Sequence, residues 1–331
     1  MKQNISANSV GFVFIGRNEG DRLKACINSL QAYDAPQVYV DSGSTDDSVN
    51  YAQSQGITVI HLDTSIPFTA ARARNAGWRA LLETNPDIRY IQFLDGDCIL
   101  DDAWIAEAKL YLDNNHDSAI ACGQRKELKP NDSFYNELCD FEWNTPPGAA
   151  SACGGDFMVR TTVLTEVNGF RDDFIAGEEP EMCFRIRGLG HLIYRLDKTM
   201  TWHDADIHTF YQWWKRSKRC GYAYALGAFT HGLKTQERYK LRQTARSFFW
   251  GLGLPVTIIF CAVLLSPWFF LAFSIYGISY LKNLRSSPKS SSNRILYAFY
   301  TSIGKFSEAS GVLAFAWNSI RKRKGSLIEY K

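Results

Sequence analysis

Apolar residues arrive in short bursts along the first hundred positions, and their spacing alternates between two periods. Val10–Ile15 is a compact apolar run, as a buried strand requires, and Leu23, Cys26, Ile27 and Leu30 then recur on one helical face. Gln37–Val40 predicts a second strand, followed by a helix that Ser44 or Thr45 can cap. Ile57–Ile60 predicts a third strand, the Ala- and Arg-rich segment Thr69–Glu83 a helix, and Tyr90–Leu94 a fourth strand. This alternation implies an α/β fold with a mostly parallel, Rossmann-like sheet and helices on both faces. From Asp117 to Asp206 the pattern is mixed. Ala119–Gly123 and Asp156–Arg160 read as strands, and Thr161–Val167 and Glu181–Leu189 as short helices, an α+β half that completes a cleft.

The pattern changes character late in the chain. Ser247–Leu281 contains no Asp, Glu, Lys or Arg and is rich in Phe, Leu and Ile, with prolines at Pro255 and Pro267. As a helix, Phe248–Leu265 would span roughly 27 Å at about 1.5 Å per residue; Trp268–Leu281 is shorter. Lys234, Arg238, Lys240, Arg242 and Arg246 precede this stretch, and Lys282, Arg285 and Lys289 follow it. Basic residues on both flanks place both on the cytoplasmic side, which favours a hairpin or re-entrant insertion over one simple span. The alternative is a buried helix pair in a soluble protein. Ile295, Phe299, Ile303, Phe306, Leu313, Trp317 and Ile320 then recur at helical spacing, ahead of Arg321, Lys322, Arg323 and Lys324. An amphipathic helix over about 293–324 with a basic end suits an anionic membrane surface, or packing on the rest of the chain. The expected organisation is a catalytic domain over 1–232 and C-terminal membrane-associated helices over 233–331, with the hairpin at about 247–281.

Composition narrows the compartment more than the activity. Apolar residues are 46% and charged residues 21% of 331 positions, ordinary for a globular protein. A net charge of +3 is too small to argue for a nucleic-acid partner. The eight cysteines form no close-set C-x-x-C pair, and most sit in apolar runs, which reads as reduced, buried thiols. Met1–Val10 is polar and lacks the apolar core of a signal peptide. Together with the apolar stretch, this puts the expected location at the cytoplasmic face of the inner cell membrane.

Ligands of such sheets bind beyond the carboxyl ends of the strands. Acidic residues stand at those ends: Glu19 past the first strand, Asp41 after the second, Asp95 and Asp97 after the fourth. Any one of them could be a turn or capping carboxylate; together they point to a shared rim. In Leu94-Asp95-Gly96-Asp97-Cys98, two aspartates flank a glycine that permits a tight turn. Mg²⁺ and Mn²⁺ take one or two carboxylates plus phosphate oxygens, and this arrangement suits them. In Asp41-Ser42-Gly43-Ser44-Thr45-Asp46 the carboxylate can accept from a pyrimidine N–H or ribose hydroxyls, or cap the next helix.

Ile15-Gly16-Arg17-Asn18-Glu19, Asp41-Ser-Gly-Ser-Thr-Asp46, Ala73-Arg74-Asn75-Ala76-Gly77 and Asp95-Gly-Asp97 follow one another in the order and spacing of a known family. With Gly154-Gly155-Asp156 and Gly177-Glu178-Glu179, they resemble the inverting glycosyltransferases of family 2, which have the GT-A fold, over about residues 10–225. Bacterial enzymes that build cell-envelope or extracellular polysaccharide are similar. The resemblance implies that Asp41 contacts the nucleotide base, that Glu19 frames the nucleotide pocket and that Arg74 faces the diphosphate. It places Asp156 with the donor-binding residues, Asp97 on the metal, and Asp95 near the ribose or the metal's water shell. It also implies a later histidine ligand, for which His203 in Thr201-Trp202-His203-Asp204 is the match. The family's usual Glu-Asp pair stands here as Glu178-Glu179, with Pro180 next. Glu179 is the expected base, at the positive end of a helix, and Glu178 the fallback. Gln212-Trp213-Trp214-Lys215-Arg216 departs from the Gln-x-x-Arg-Trp block of processive members, which argues against processive synthesis.

The implied reaction is one in-line displacement on a nucleotide-diphosphate sugar, inverting the anomeric centre, with a glycan or lipid-linked acceptor at the membrane. Two alternatives stand beside it: a nucleotidyltransferase that makes nucleotide-sugars, and a catalytically inactive membrane scaffold. The first would want a Gly-rich basic loop after the first strand, where this chain has Gly16-Arg17-Asn18-Glu19.

Overall fold

The computed structural model describes residues 9–235 and 237–322, so Arg323, Lys324 and most of the N-terminal segment Met1–Val10 lie outside the described residues. The chain divides into two compact units, residues 1–129 with 142–205 and residues 130–141 with 206–331.

The first unit begins with four parallel strands, β1 (Val10–Gly16), β2 (Gln37–Asp41), β3 (Thr58–His61) and β4 (Tyr90–Asp95), in the order β3-β2-β1-β4. Between them run α1 (Asp21–Leu30), α2 (Ser48–Ser54) and α3 (Ala70–Thr84). Leu23, Cys26, Ile27 and Leu30 are buried, as their spacing predicts. Each Leu or Ile buried in that stripe contributes about 1.5–3 kcal/mol. That outweighs the roughly 1 kcal/mol a side-chain cap would add at Gly20, which has no side chain to offer. Ser44 and Thr45 do not cap α2. Ser44 Oγ accepts from Asn18 N–H, and Thr45 N–H donates to Asn18 Oδ1, so they stitch two rim loops together. In α3 the Thr69 hydroxyl caps the first turn, and Gly77 lets the helix lie against Val13 and Val40.

The second half is β5 (Cys98–Leu100), α4 (Trp104–Asn114), β6 (Ser118–Glu127), α5 (Phe134–Trp143), β7 (Gly148–Ala149), β8 (Phe157–Arg160), α6 (Thr161–Glu166), α7 (Glu178–Gly188) and β9 (Leu192–His203). It extends the sheet as β4-β8-β6-β9-β5, with β7 on β9, and mixes antiparallel with parallel pairing. The core lies on both faces of β1, β4 and β8, where Phe12, Phe14, Phe93 and Phe157 are fully buried. β5, α4 and β9 have no counterpart in the expected elements, and α7 starts three residues before the expected Glu181.

The second unit contains part of α5, then α8 (Phe210–Gly227), α9 (Leu241–Phe248), α10 (Leu254–Leu264), α11 (Ser274–Ser286) and α12 (Arg294–Ile320). The first compact unit ends at Ala205, and the helix that follows belongs to the second. The reason is α8: it packs along α12, where a methyl on Gly221 would collide with the Glu308 backbone and one on Gly311 with the Lys218 backbone. Trp213 stands edge-on to Tyr300 at 4.8 Å between ring centres. Gln212 caps α8 by a reciprocal bond with Thr209, so the aromatic-basic block is a packed helix start.

Over the expected hairpin at about 247–281 the chain forms two helices joined by a tight turn. Leu241–Leu264 is one continuous helical run of 24 residues, with a widened turn at Phe249–Gly253. It is the one helix among the described residues long and apolar enough to cross a membrane. A tight turn over Pro267–Phe273 leads to α11, which at 13 residues reaches only about 20 Å. In α12 the small residues Ala298, Gly304, Ser307, Ala309 and Gly311 face inward, while Ile295, Phe299, Leu313, Trp317 and Ile320 are exposed.

Candidate active site

Parallel register brings the strand ends to one rim. Gly16 pairs with Asp41 and Ile15 with Asp95, so the loops after β1, β2 and β4 open side by side. Gly96 N–H donates to Ile15 O at 2.8 Å, and an added Cβ at Gly96 would press on that same oxygen at 3.0 Å. Glycine is what lets the Asp95-Gly96-Asp97 turn lie flat on β1.

Asp97 and His203 meet because β5 pairs antiparallel with β9, register Cys98 to His203. His203 Nε2 lies 3.3 Å from Asp97 Oδ1, and the Trp143 ring stands edge-on to the imidazole at 4.7 Å. Asp97, Cys98 and His203 each offer a ligand atom, all within 4.8 Å of one another. A carboxylate and an imidazole on one partly open spot match the donors of a divalent cation. Glu127 steadies the β9 terminus by accepting from Lys129 and Ala205 N–H, both at 3.0 Å. Lys129 Nζ reaches Asp204 at 3.1 Å.

Asp95 looks into the rim from the other side. Burial pushes its carboxyl up, but Arg74 and Arg125 more than offset this and hold it below the usual carboxylate range. Glu19 lies against the Gly16 and Gly96 backbone at the rim, with its carboxylate 3.0 Å from Arg22.

Three residues expected at the donor make close contacts within the protein itself. Arg74 does not offer a free fork to a diphosphate. It is 2% exposed and donates to Asp95 Oδ1 at 2.6 Å and to Glu178 Oε1 at 2.8 Å, with Phe170 under the guanidinium. Asp156 is fully buried. Its oxygens accept from Asp95 N–H at 3.0 Å and Thr201 Oγ1 at 2.7 Å, and Arg125 lies 2.8 Å away. Burial raises its carboxyl above the usual range against the pull of Arg125. Asp41 is 3% exposed and spends both oxygens on its own turn, accepting from Gly43 and Ser44 N–H and from the Tyr39 hydroxyl. It shapes the β2 loop rather than projecting from it.

Glu178 and Glu179 open α7, with Gly177 before them at φ 76°. Their side chains part company. Glu178 faces Arg74, whereas Glu179 Oε1 accepts from Cys153 N–H at 2.6 Å and from the Cys153 and Cys183 thiols at 2.9 and 3.0 Å. Glu179 thereby fixes the Cys153-Gly154-Gly155 turn, and a methyl on Gly155 would strike the Asp95 carboxylate. Arg125, absent from the sequence-derived candidates, stacks on Trp143 at 5.6 Å and touches Asp156. A basic residue following seven buried positions of β6 was its one signal.

The sequence model of the family described as Glycosyl transferase family 2 matches residues 13–155. No curated protein matches the sequence at a significant level. Among solved structures, the mannosyltransferase PcManGT from Pyrobaculum calidifontis, in complex with GDP-Man and Mn²⁺, is similar at a TM-score of 0.64 and 16% identity, covering 93% of this chain and 87% of that one. Residues 1–349 of S. aureus TarS are similar at a TM-score of 0.54 and 13% identity, covering 95% and 92%.

Proposed function

From the premise that this chain is a glycosyltransferase carrying a family 2 domain of the GT-A fold, we propose that it transfers a sugar from a nucleotide-diphosphate donor to a hydroxyl acceptor with inversion. The observation that carries the proposal is the pairing of Asp97 with His203 at the rim where Gly16, Asp41 and Asp95 also end. Asp97 and His203 would hold a divalent cation. An imidazole among the ligands favours Mn²⁺ over Mg²⁺, which prefers oxygen throughout. The bound cation supplies positive charge against the departing diphosphate.

The residues of the chain do the rest. Asn18 and the Ser42–Thr45 turn form the wall for the nucleotide, with Glu19 beneath. Arg74 ties Asp95 to Glu178 and so links the proposed donor side to the start of α7. Glu179 is the proposed base. Its Oε1 carries all three anchoring bonds described above, leaving Oε2 to take the acceptor's proton, whereas Glu178 is committed to Arg74.

The proposed location is the cytoplasmic face of a membrane, with a glycan or lipid-linked acceptor. Leu241–Leu264 supports it: at about 1.5 Å per residue it is some 36 Å long, and its most apolar 18-residue window has a mean hydropathy of 2.0 and is only 17% buried. Arg242 and Arg246 lie in its first two turns, and Lys215, Lys218 and Arg219 on α8.

The test is product analysis on detergent-solubilised full-length protein with a panel of nucleotide-sugars, with and without Mn²⁺. Metal-dependent release of nucleoside diphosphate is the expected result. Pyrophosphate release instead would overturn sugar transfer, and an α-configured product from an α-donor would overturn inversion.

A further inference from the structure

In the proposed sugar transfer the thiols beside the Gly154–Gly155 turn do no more than anchor Glu179. Cys153 comes from that turn, Cys183 from α7 and Cys122 from β6, and all three are buried. Glu179 and Cys183 are four positions apart on α7 and so share a face. Cys153 Sγ and Cys183 Sγ are 3.5 Å apart, and each lies 2.9–3.0 Å from Glu179 Oε1.

We infer that Cys153, Cys183 and Glu179 form a site for a soft divalent cation of the Zn²⁺ or Cd²⁺ class. The three ligand atoms lie within 4.8 Å of one another. A tetrahedral ion bound through sulfur at about 2.3 Å needs a sulfur–sulfur edge of about 3.8 Å, so the cluster is a few tenths of an ångström from that geometry. Two sulfurs and one oxygen select against Mg²⁺ and Mn²⁺ and for a thiophilic ion, the reverse of Asp97 and His203. Cys122 interacts electrostatically with both Cys183 and Glu179. Binding exchanges two S–H bonds for two metal–sulfur bonds and releases two protons to solvent. Arg195, which donates to Ala152 O at 3.3 Å, offsets the charge left behind.

The site has a consequence that rests on the proposed role of Glu179. An ion seated on Glu179 Oε1 withdraws electron density from the carboxylate that would accept the acceptor's proton, so the enzyme would be inhibited by thiophilic metals while dependent on Mn²⁺.

The experiment is a Cd²⁺ titration of reduced, full-length protein in excess Mn²⁺, which keeps Asp97 and His203 occupied. Thiolate-to-cadmium charge-transfer absorbance is expected to rise to one equivalent and stop. Cys153→Ala and Cys183→Ala each should lose at least half of it, and Cys220→Ala, on α8, should keep it. No saturable band in the wild type, or an unchanged band in the Cys153→Ala/Cys183→Ala double variant, overturns the site. Should a variant fail to fold, the wild-type melting temperature decides: Cd²⁺ at one equivalent is expected to raise it, and no rise overturns the site. Turnover measured in the same titration separates the two ideas. A saturated band with undiminished turnover leaves the cation site standing and removes Glu179 as the base.

Discussion

Arg74 donates to Asp95 at 2.6 Å with one nitrogen and to Glu178 at 2.8 Å with another, so one guanidinium joins the end of β4 to the start of α7. Arg74 is nearly sealed, at 3% side-chain exposure, while Asp95 keeps 27%. Removing one member of such a buried set leaves uncompensated charge. Arg74→Ala is expected to cost about 3–5 kcal/mol of stability, read as a lower urea midpoint. Arg74→Lys should recover only part, because an ammonium cannot span both carboxylates as the planar fork does. Equal midpoints for wild type and Arg74→Ala would rule out this account.

Glu178 and Glu179 are neighbours with separate duties, and isosteric amides tell them apart. Glu179→Gln keeps an oxygen for Cys153 N–H but cannot take a proton. Its kcat should fall by about 10²–10⁴-fold with little change in donor KM. Glu178→Gln keeps its size but weakens the hold on Arg74, so its larger effect should be on melting temperature. The reverse pattern would make Glu178 the base.

For Asp97 and His203 the prediction concerns the cation. Asp97→Asn and His203→Ala should each weaken Mn²⁺ binding, measured by electron paramagnetic resonance of free Mn²⁺, and lower kcat by about 10²–10³-fold. Stability should change less than in Arg74→Ala, since neither residue anchors a second element so tightly. Wild-type Mn²⁺ affinity in both variants would move the metal elsewhere.

How much of this was legible in the sequence depends on whether the signal was local. The apolar runs of β1, β2 and β4 and the Leu23–Leu30 stripe decide their own structure, so periodicity found them. β9 was missed because Arg195, Asp197 and Lys198 interrupt its apolar positions, and exposed positions alternate irregularly along it. Its place comes from pairing with β6 and β5, contacts more than 60 positions away. His203 was therefore found by resemblance and not by pattern. Arg74 was read from its motif as facing a diphosphate, and its hold on Glu178 was not legible there because Glu178 lies 104 positions on. Asp156 looked like a binding carboxylate, yet its neighbours Asp95, Thr201 and Arg125 consume it. A sequence shows which groups can ionise; it does not show which of them the fold will turn inward.

Helix packing in the second unit gives a prediction independent of catalysis. Gly221 on α8 faces the Glu308 backbone, and Gly311 on α12 faces that of Lys218, so each helix uses a glycine to approach the other. Gly221→Ala and Gly311→Ala should each cost about 1–3 kcal/mol by forcing the helices apart. Gly277→Ala on α11, where an added methyl meets nothing, should be neutral or slightly stabilising. Melting curves in detergent would check all three, and a destabilised Gly277→Ala beside an unaffected Gly221→Ala would refute the packing.

The buried thiols set the alkaline limit of the fold, and the sign follows from which state loses protons first. Burial pushes Cys183 up to about 11 and Cys122 up to about 12, against a usual thiol value of 9.0. Above pH 9 the unfolded chain releases these protons while the native chain holds them. The stability they contribute is fully present below pH 9 and is lost as pH rises through 11 and 12. Each thiol then costs about 1.4 kcal/mol per pH unit within its window. Urea midpoints between pH 8 and 11 should fall, and Cys183→Ala should flatten the slope between pH 9 and 11 by one thiol's share. Because burial is the largest cause and the Glu179 carboxylate acts from inside the same buried cluster, added salt should leave that slope unchanged. A slope that salt abolishes would assign the effect to surface lysines and tyrosines instead.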